Sequence, residues 1–158
     1  DALRNPYDER ITVRKDFLRS PFLDGLITDT HYNNPDRRGR HIVFLARMLK
    51  DYNVGFPKGI GIDERTVVCI DEKGIARVFG RSYAYFIAPS QPTTRPEVCE
   101  SGKPLTWNTN GGRALRAYEV AGNSQGTGYF NVSAWKEGEG GSWRWYSSEN
   151  GVLKMIKD

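Results

Sequence analysis

Two short segments hold the side chains best suited to proton transfer. In the segment 29–40, which reads DTHYNNPDRRGR, a carboxylate at Asp29 and an imidazole at His31 follow a short apolar run. Asp63 and Glu64 follow a second apolar run, GIGI. An imidazole takes up and releases protons near neutral pH, and a neighbouring carboxylate can orient its ring. The pattern predicts a base–acid pair made by His31 and one of the two later carboxylates. The alternative is a set of solvated loop residues without a chemical role.

Three arginines, Arg37, Arg38 and Arg40, stand where the sequence predicts the start of a helix. A helix N-terminus has a partial positive charge, so a cation there costs roughly 0.3–1 kcal/mol. Arginine is the side chain that binds carboxylates in a bidentate manner. The cluster therefore indicates either a site for an anion or a salt-bridged helix start, with Asp36 as the cap or first-turn residue.

Apolar periodicity predicts the elements that position these residues. From Arg38 to Asp51 apolar residues recur at helical intervals. Short apolar runs bounded by turn residues predict strands, and the segment 66–80 predicts a hairpin around Glu72–Gly74. The other predicted strands are 25–29, 58–63 and 82–88, and the polar segment 8–18 fits a short strand or a helical turn equally. This order of elements is typical of an α/β sheet, in which ligands bind at the carboxyl ends of the strands.

The composition changes after Pro89, where the chain becomes rich in proline, serine and threonine. We predict two units, residues 1–90 as an α/β portion and residues 91–158 as a β-rich extension. One long helix cannot cover both faces of an α/β sheet, so residues 1–90 are interpreted as half of a domain. The extension contains all four tryptophans. We expect them in the core, with carbohydrate binding as the alternative.

No nucleophile in the chain has a catalytic setting. Ser20 precedes a proline in a polar loop and Ser82 opens a predicted strand, so neither lies in a glycine-rich elbow. Cys69 lies inside an apolar strand and is expected to be buried. Cys69 and Cys99 have no metal-site spacing, and a disulfide between them is left open. We expect neither a metal nor a cofactor.

The charges of the chain argue against two kinds of partner. The net charge is +4 over 158 residues, and lysines and arginines alternate with acidic residues along the chain. Nucleic-acid-binding proteins concentrate their positive charge in a stripe, and a membrane span needs about 20 consecutive apolar residues. We therefore expect no nucleic-acid partner and no membrane partner.

Several blocks, in order, closely resemble the cyanophycinase branch of serine peptidases. They read DALRNPYDERITVRKDFL, ITDTHYNNPDRRGRHIVFLARML, GIGIDERTVVCID and ARVFGRSYAYF. The resemblance covers about residues 1–90, with weaker similarity in the extension. It implies a class I glutamine amidotransferase-like (flavodoxin-like) fold. It also implies hydrolysis of cyanophycin, a poly-aspartate backbone with arginine on each side-chain carboxyl, to β-aspartyl-arginine dipeptides.

The resemblance also implies roles for individual residues. His31 matches the general base of the family and Glu64 its acidic partner. The implied substrate-binding residues are Asp29, Thr30, Arg37 and Arg40. The family usually has a further arginine where this chain has Pro35, and often glutamine where it has Thr30. Both departures concern the choice of substrate.

The nucleophilic serine of the family lies upstream of the block that begins at Asp1. The resemblance therefore implies a cleaved, secreted or periplasmic two-chain enzyme, in which an N-terminal fragment of the same precursor contributes the serine. The substrate would be a peptide containing aspartate and arginine, and a homodimer is left open. Two alternatives remain: a related aspartyl or isoaspartyl peptidase, and a catalytically inactive binding homologue.

Overall fold

The computed structural model describes residues 1–14 and 20–158, so the segment 8–18 lies partly outside the described residues. Its elements are β1 (Leu26–Thr30), α1 (Arg38–Tyr52), β2 (Lys58–Ile62), β3 (Thr66–Ile70), β4 (Ile75–Gly80), β5 (Tyr83–Pro89), a short helical turn α2 (Thr109–Gly112), β6 (Leu115–Ala121), β7 (Tyr129–Asn131), β8 (Gly138–Glu139), β9 (Gly141–Glu149) and β10 (Val152–Lys157). Within these described residues, no helix combines the length and the apolar character needed to cross a bilayer.

The strands form two sheets. The larger has the order β1-β2-β5-β6-β9-β10, and the smaller has the order β3-β4-β7-β8. Strands β1 and β2 are parallel, with Leu26 opposite Lys58 and Thr30 opposite Ile62. The other strand pairs are antiparallel. The fold is therefore mixed α/β and rich in β-structure.

Helix α1 forms where the periodicity predicts it. Its apolar residues at helical spacing are buried, among them Ile42, Leu45 and Leu49. The carboxylate of Asp36 accepts the backbone N–H of Arg38 at 3.0 Å, which satisfies one of the free donors at the start of the helix. The helix is capped at its C-terminal end by Asn53, whose backbone is left-handed. The predicted helix is confirmed, as is the hairpin of β3 and β4.

Both faces of the large sheet are covered, but by different layers. Helix α1 packs on one face, where the strands contribute Tyr85, Leu115 and Tyr146 to the shared core. The small sheet packs on the other face, where the rings of Phe86 and Phe130 stack at 4.6 Å. The single helix covers one face only, as expected, and the hairpin 66–80 contributes to the layer that covers the other face.

The two predicted units share one sheet. The boundary at residue 90 falls between β5 and β6, which pair along their whole length from Tyr83–Ala121 to Pro89–Leu115. Trp107 is fully buried and Trp135 is 9% exposed, as expected for core residues, whereas Trp143 and Trp145 are half-buried. The chain on either side of residue 90 thus contributes to the same hydrophobic cores.

The cysteines differ from expectation. Cys69 is exposed, because β3 is an edge strand of the small sheet and alternate side chains on it point to solvent. Cys99 is buried, and both thiols are free, so they form no disulfide.

Two glycines of β2 allow close packing behind the strand. A Cβ at Gly59 would lie 2.4 Å from Nε2 of His41, and one at Gly61 would lie 2.7 Å from the ring of Tyr32. Both of these side chains are fully buried, and the Tyr32 hydroxyl lies 3.0 Å from Nδ1 of His41. Glycine at these two positions is therefore a steric requirement for packing α1 and the β1–α1 loop against β2.

Replacing Gly61 with alanine tests this packing. Gly61→Ala forces the Tyr32 ring to move, and overpacking of this kind costs about 1–3 kcal/mol of unfolding free energy. Urea unfolding followed by circular dichroism measures the loss. The control is Gly55→Ala, because a Cβ there meets nothing within 4 Å. Equal stability of the two variants would contradict the packing argument.

The burial of His41 predicts a pH-dependent stability. Burial lowers the pKa of His41 from 6.5 to about 4, against an opposing effect of Asp29. Below about pH 6.5 His41 binds a proton in the unfolded chain but stays neutral in the folded chain. Its contribution to the unfolding free energy is therefore fully present above pH 6.5 and is lost as the pH falls towards 4. From pH 7.5 to 4.5 the loss is about 2–3 kcal/mol, at 1.36 kcal/mol per pKa unit.

Urea unfolding of the wild type and of His41→Gln at both pH values measures this contribution. The difference in unfolding free energy between the two proteins should shrink by that amount at the lower pH. A difference that stays constant would show that His41 is not the group responsible.

Candidate functional site

The parallel pairing of β1 and β2 brings the predicted base and acid together. The two strands end level with each other, since Thr30 lies opposite Ile62. The residues that follow therefore leave the sheet at the same edge. Nδ1 of His31 lies 2.7 Å from Oε1 of Glu64.

The pair is accessible from solvent. The side chain of His31 is 59% exposed and that of Glu64 is 48% exposed. Within the described ranges, Glu64 is the only side chain that makes a hydrogen bond with His31. When the imidazole is neutral and the carboxylate ionised, the proton lies on Nδ1 and the lone pair on Nε2 is available to accept another. The arrangement can therefore act as a general base.

The backbone around His31 is held in an uncommon conformation. His31 has a φ of 52°, in the left-handed region that non-glycine residues occupy rarely. The next residue, Tyr32, is fully buried, its N–H donates to the Ile62 carbonyl at 3.3 Å, and its own carbonyl accepts the N–H of Arg37 at 2.9 Å. The buried tyrosine thus fixes the turn that leaves the imidazole outside.

Asp29 and Arg40 form a separate pair. Asp29 is 5% exposed, and its two carboxylate oxygens accept from Nε of Arg40 at 3.0 Å and from a terminal nitrogen of the same guanidinium. Alternation along a strand would put Asp29 and His31 on the same face, but β1 ends at Thr30 and His31 lies in a left-handed turn. The structure joins Asp29 to Arg40, and joins neither residue to His31 or Glu64.

The remaining predicted residues lie near His31. Thr30 is exposed and borders an open depression beside the imidazole. A terminal nitrogen of Arg37 donates to the Thr30 carbonyl at 3.4 Å, and no carboxylate pairs with this arginine among the described residues. The depression is bordered by Thr30, His31, Ile62, Asp63, Glu64, Arg65, Thr66, Val67 and Val68.

The sequence does not predict which residues form the wall of this depression. Val67 is 51% exposed, which is unusual for a valine in a strand, and Arg65 has a left-handed backbone with φ 58°. Alternation along RTVVCI was the available signal, but it does not reveal which face of the strand is open.

The described part of the chain offers no metal centre, since no three histidine, cysteine, aspartate or glutamate side chains there converge on one point.

Comparison with known proteins adds no identification. No protein-family model matches the chain, and no curated protein matches it.

The pairing of Asp29 with Arg40 predicts different effects for two neighbouring arginines. Arg40→Ala leaves a buried carboxylate without its partner, which costs about 3 kcal/mol of unfolding free energy. Arg37→Ala removes a single long contact to a carbonyl and should stay within about 0.5 kcal/mol of the wild type. Urea unfolding at pH 7 measures both values. Equal stability of the two variants would show that Arg40 is not needed to hold Asp29.

Proposed function

We propose that the chain contributes the general base and the acidic partner of a serine-type peptidase of the cyanophycinase kind. The observation behind this proposal is the 2.7 Å contact between Nδ1 of His31 and Oε1 of Glu64, beyond the carboxyl ends of β1 and β2, with the His31 side chain 59% exposed. In the proposed enzyme His31 is the base and Glu64 holds the ring and stabilises the imidazolium.

The proposed reaction is acyl transfer to a serine. Nε2 of His31 accepts the proton of the serine hydroxyl as the oxygen attacks the scissile carbonyl. The resulting imidazolium gives that proton to the nitrogen of the leaving group, and the amide bond breaks. A water then attacks the acyl-enzyme with His31 again as the base, which releases the acid product and regenerates the serine.

We propose that the serine belongs to a different segment, an N-terminal fragment of the same precursor. Two observations support this. Within residues 1–14 and 20–158, no serine, threonine or cysteine side chain makes a hydrogen bond with His31. Among the described residues β1 is an edge strand whose one strand partner is β2, so its other edge presents unpaired backbone groups to a further strand. A flavodoxin-like, class I glutamine amidotransferase-like sheet would continue there, close to His31.

The proposed substrate is cyanophycin, which presents carboxylate and guanidinium groups. Of the two arginines predicted to bind it, Arg37 is the better placed, because its guanidinium is not paired with a carboxylate among the described residues. A charge-assisted hydrogen bond from Arg37 to a substrate carboxylate would be worth about 1.5–3 kcal/mol. In this proposal Arg40 acts through Asp29, as a support for the strand that precedes the base.

A specific observation favours a second candidate, a related aspartyl or isoaspartyl peptidase. Pro35 stands where the family usually has an arginine, and Arg40 is already committed to Asp29. A site with fewer free guanidinium groups suits a shorter substrate with a single carboxylate. Mass spectrometry of the products from cyanophycin and from aspartyl dipeptides separates the two candidates.

Turnover by the native enzyme, with whatever polypeptide accompanies this chain, tests the proposal. His31→Ala should lower kcat/KM by at least about 10⁴-fold, because it removes the base. Glu64→Ala should lower it by about 10²–10⁴-fold, because the imidazole loses the carboxylate that orients it. The control is Glu72→Ala, which removes an exposed carboxylate from the β3–β4 turn. Unchanged turnover in His31→Ala contradicts the proposal. Binding of the substrate without hydrolysis by the wild type would favour an inactive binding homologue.

A further inference from the structure

A buried carboxylate stands next to the exposed acid in the chain. Asp63 is 3% exposed, whereas the neighbouring Glu64 side chain is about half exposed. Oδ2 of Asp63 accepts three hydrogen bonds, from the Ser82 hydroxyl at 2.6 Å, the Tyr83 backbone N–H at 3.2 Å and the Tyr85 hydroxyl at 3.3 Å. Its backbone N–H donates to the Tyr83 carbonyl at 3.0 Å. One carboxylate oxygen and the backbone N–H of Asp63 are thus bound to Ser82 and to the start of β5.

The two residues that follow Glu64, Arg65 and Thr66, are also hydrogen bonded to the β4–β5 connection. The Ser82 N–H donates to the Thr66 hydroxyl at 3.1 Å, and the Arg81 N–H donates to the Arg65 carbonyl at 3.0 Å. Glu64 lies between these attachments, and its side chain makes one hydrogen bond among the described residues, to His31. Its position therefore depends on how firmly its neighbours are held.

Tyr85 extends this attachment to the element that follows the His31 loop. Its hydroxyl donates to Asp63 and accepts from a terminal nitrogen of Arg38 at 3.2 Å, and its ring packs 4.8 Å from the ring of Tyr32. Burial raises the pKa of the Tyr85 phenol, so the hydroxyl keeps its proton at neutral pH. The loops of His31 and of Glu64 are thereby joined through one buried side chain.

We propose that Asp63 is a positioning residue that holds the Glu64 carboxylate against Nδ1 of His31. This inference rests on the proposed function of the pair. A carboxylate is a costly choice for a purely structural bond here, because Oδ1 of Asp63 is buried and has no hydrogen-bond partner in the described part of the chain. The three bonds to Oδ2 hold Asp63 in place, and they leave Glu64 few positions to occupy.

The tautomer of His31 distinguishes a positioning role from a merely structural one. A carboxylate that accepts from Nδ1–H favours the tautomer with its proton on Nδ1, and loss of that contact lets the proton move to Nε2. The ¹⁵N chemical shifts of the neutral imidazole report the ratio of the two tautomers. The chain has two histidines, and His31→Ala assigns the signals. The readout needs no turnover, so it is independent of whether the proposed reaction occurs.

The test variants remove donors to Asp63 while leaving Asp63 and Glu64 in place. They are Ser82→Ala, Tyr85→Phe and the double variant. The matched controls are Ser148→Ala and Tyr118→Phe, which each remove one buried hydroxyl that bonds elsewhere, to the Leu105 carbonyl and to the Gly141 N–H. We expect the Nδ1–H to Nε2–H ratio to fall by about three- to tenfold in the double variant, as for the loss of one hydrogen bond, and to stay unchanged in both controls.

Thermal unfolding of every variant separates loss of fold from loss of position. If the double variant does not fold, Ser82→Ala alone decides, because it removes the shortest of the three bonds. A folded Ser82→Ala or double variant that keeps the wild-type tautomer ratio overturns the inference. A changed ratio together with an enzyme inactive on all aspartyl peptides would support the positioning role and reject the proposed function.

Discussion

The hydrogen bond between Nδ1 of His31 and Oε1 of Glu64 is the interaction on which the functional interpretation depends. It joins residues 33 positions apart, so the fold must bring them together. The parallel register of β1 and β2 does so, because it ends both strands at the same level. A shift of one residue in that register would turn the alternating side chains of β1 to the other face and break the contact.

A single principle describes how the exposed pair is held. Each exposed residue has a buried polar neighbour, Tyr32 beside His31 and Asp63 beside Glu64. The buried neighbours are hydrogen bonded within the core and meet at Tyr85, and Gly61 of β2 leaves room for the Tyr32 ring. Because a buried polar group is costly unless it is bonded, such a network has one arrangement that is clearly preferred. Rigid support for solvent-facing groups is what proton transfer between fixed partners requires.

The elements nearest the site could be predicted from the sequence. Helical periodicity gave α1, and short apolar runs gave β1 and β2, since local patterns reflect local burial. The rule that strands end together at one edge of a sheet then brought His31 near Asp63 and Glu64. The second sheet could not be predicted in this way, because the pairing of β4 with β7 joins residues more than fifty positions apart. The exposure of Cys69 follows from that same pairing, since only the assembled sheet decides which face of β3 is covered.

The sequence also did not predict which individual side chains pair with each other. A carboxylate such as Asp29 had several arginines within reach along the sequence, and only the geometry of β1 and α1 selects Arg40. The same limit applies to Asp63, whose three donors all come from residues 82–85 on another strand. The residues that support the pair are therefore less visible in the sequence than the pair itself.

Labelling of the native protein with a fluorophosphonate, which reacts with activated serines, tests the central claim most directly. Activation requires a base, so the account predicts one labelled serine in a segment outside residues 1–158, and loss of the label in His31→Ala. A label on Ser20, Ser82 or another serine of this chain, or labelling that persists without the His31 imidazole, would contradict the account.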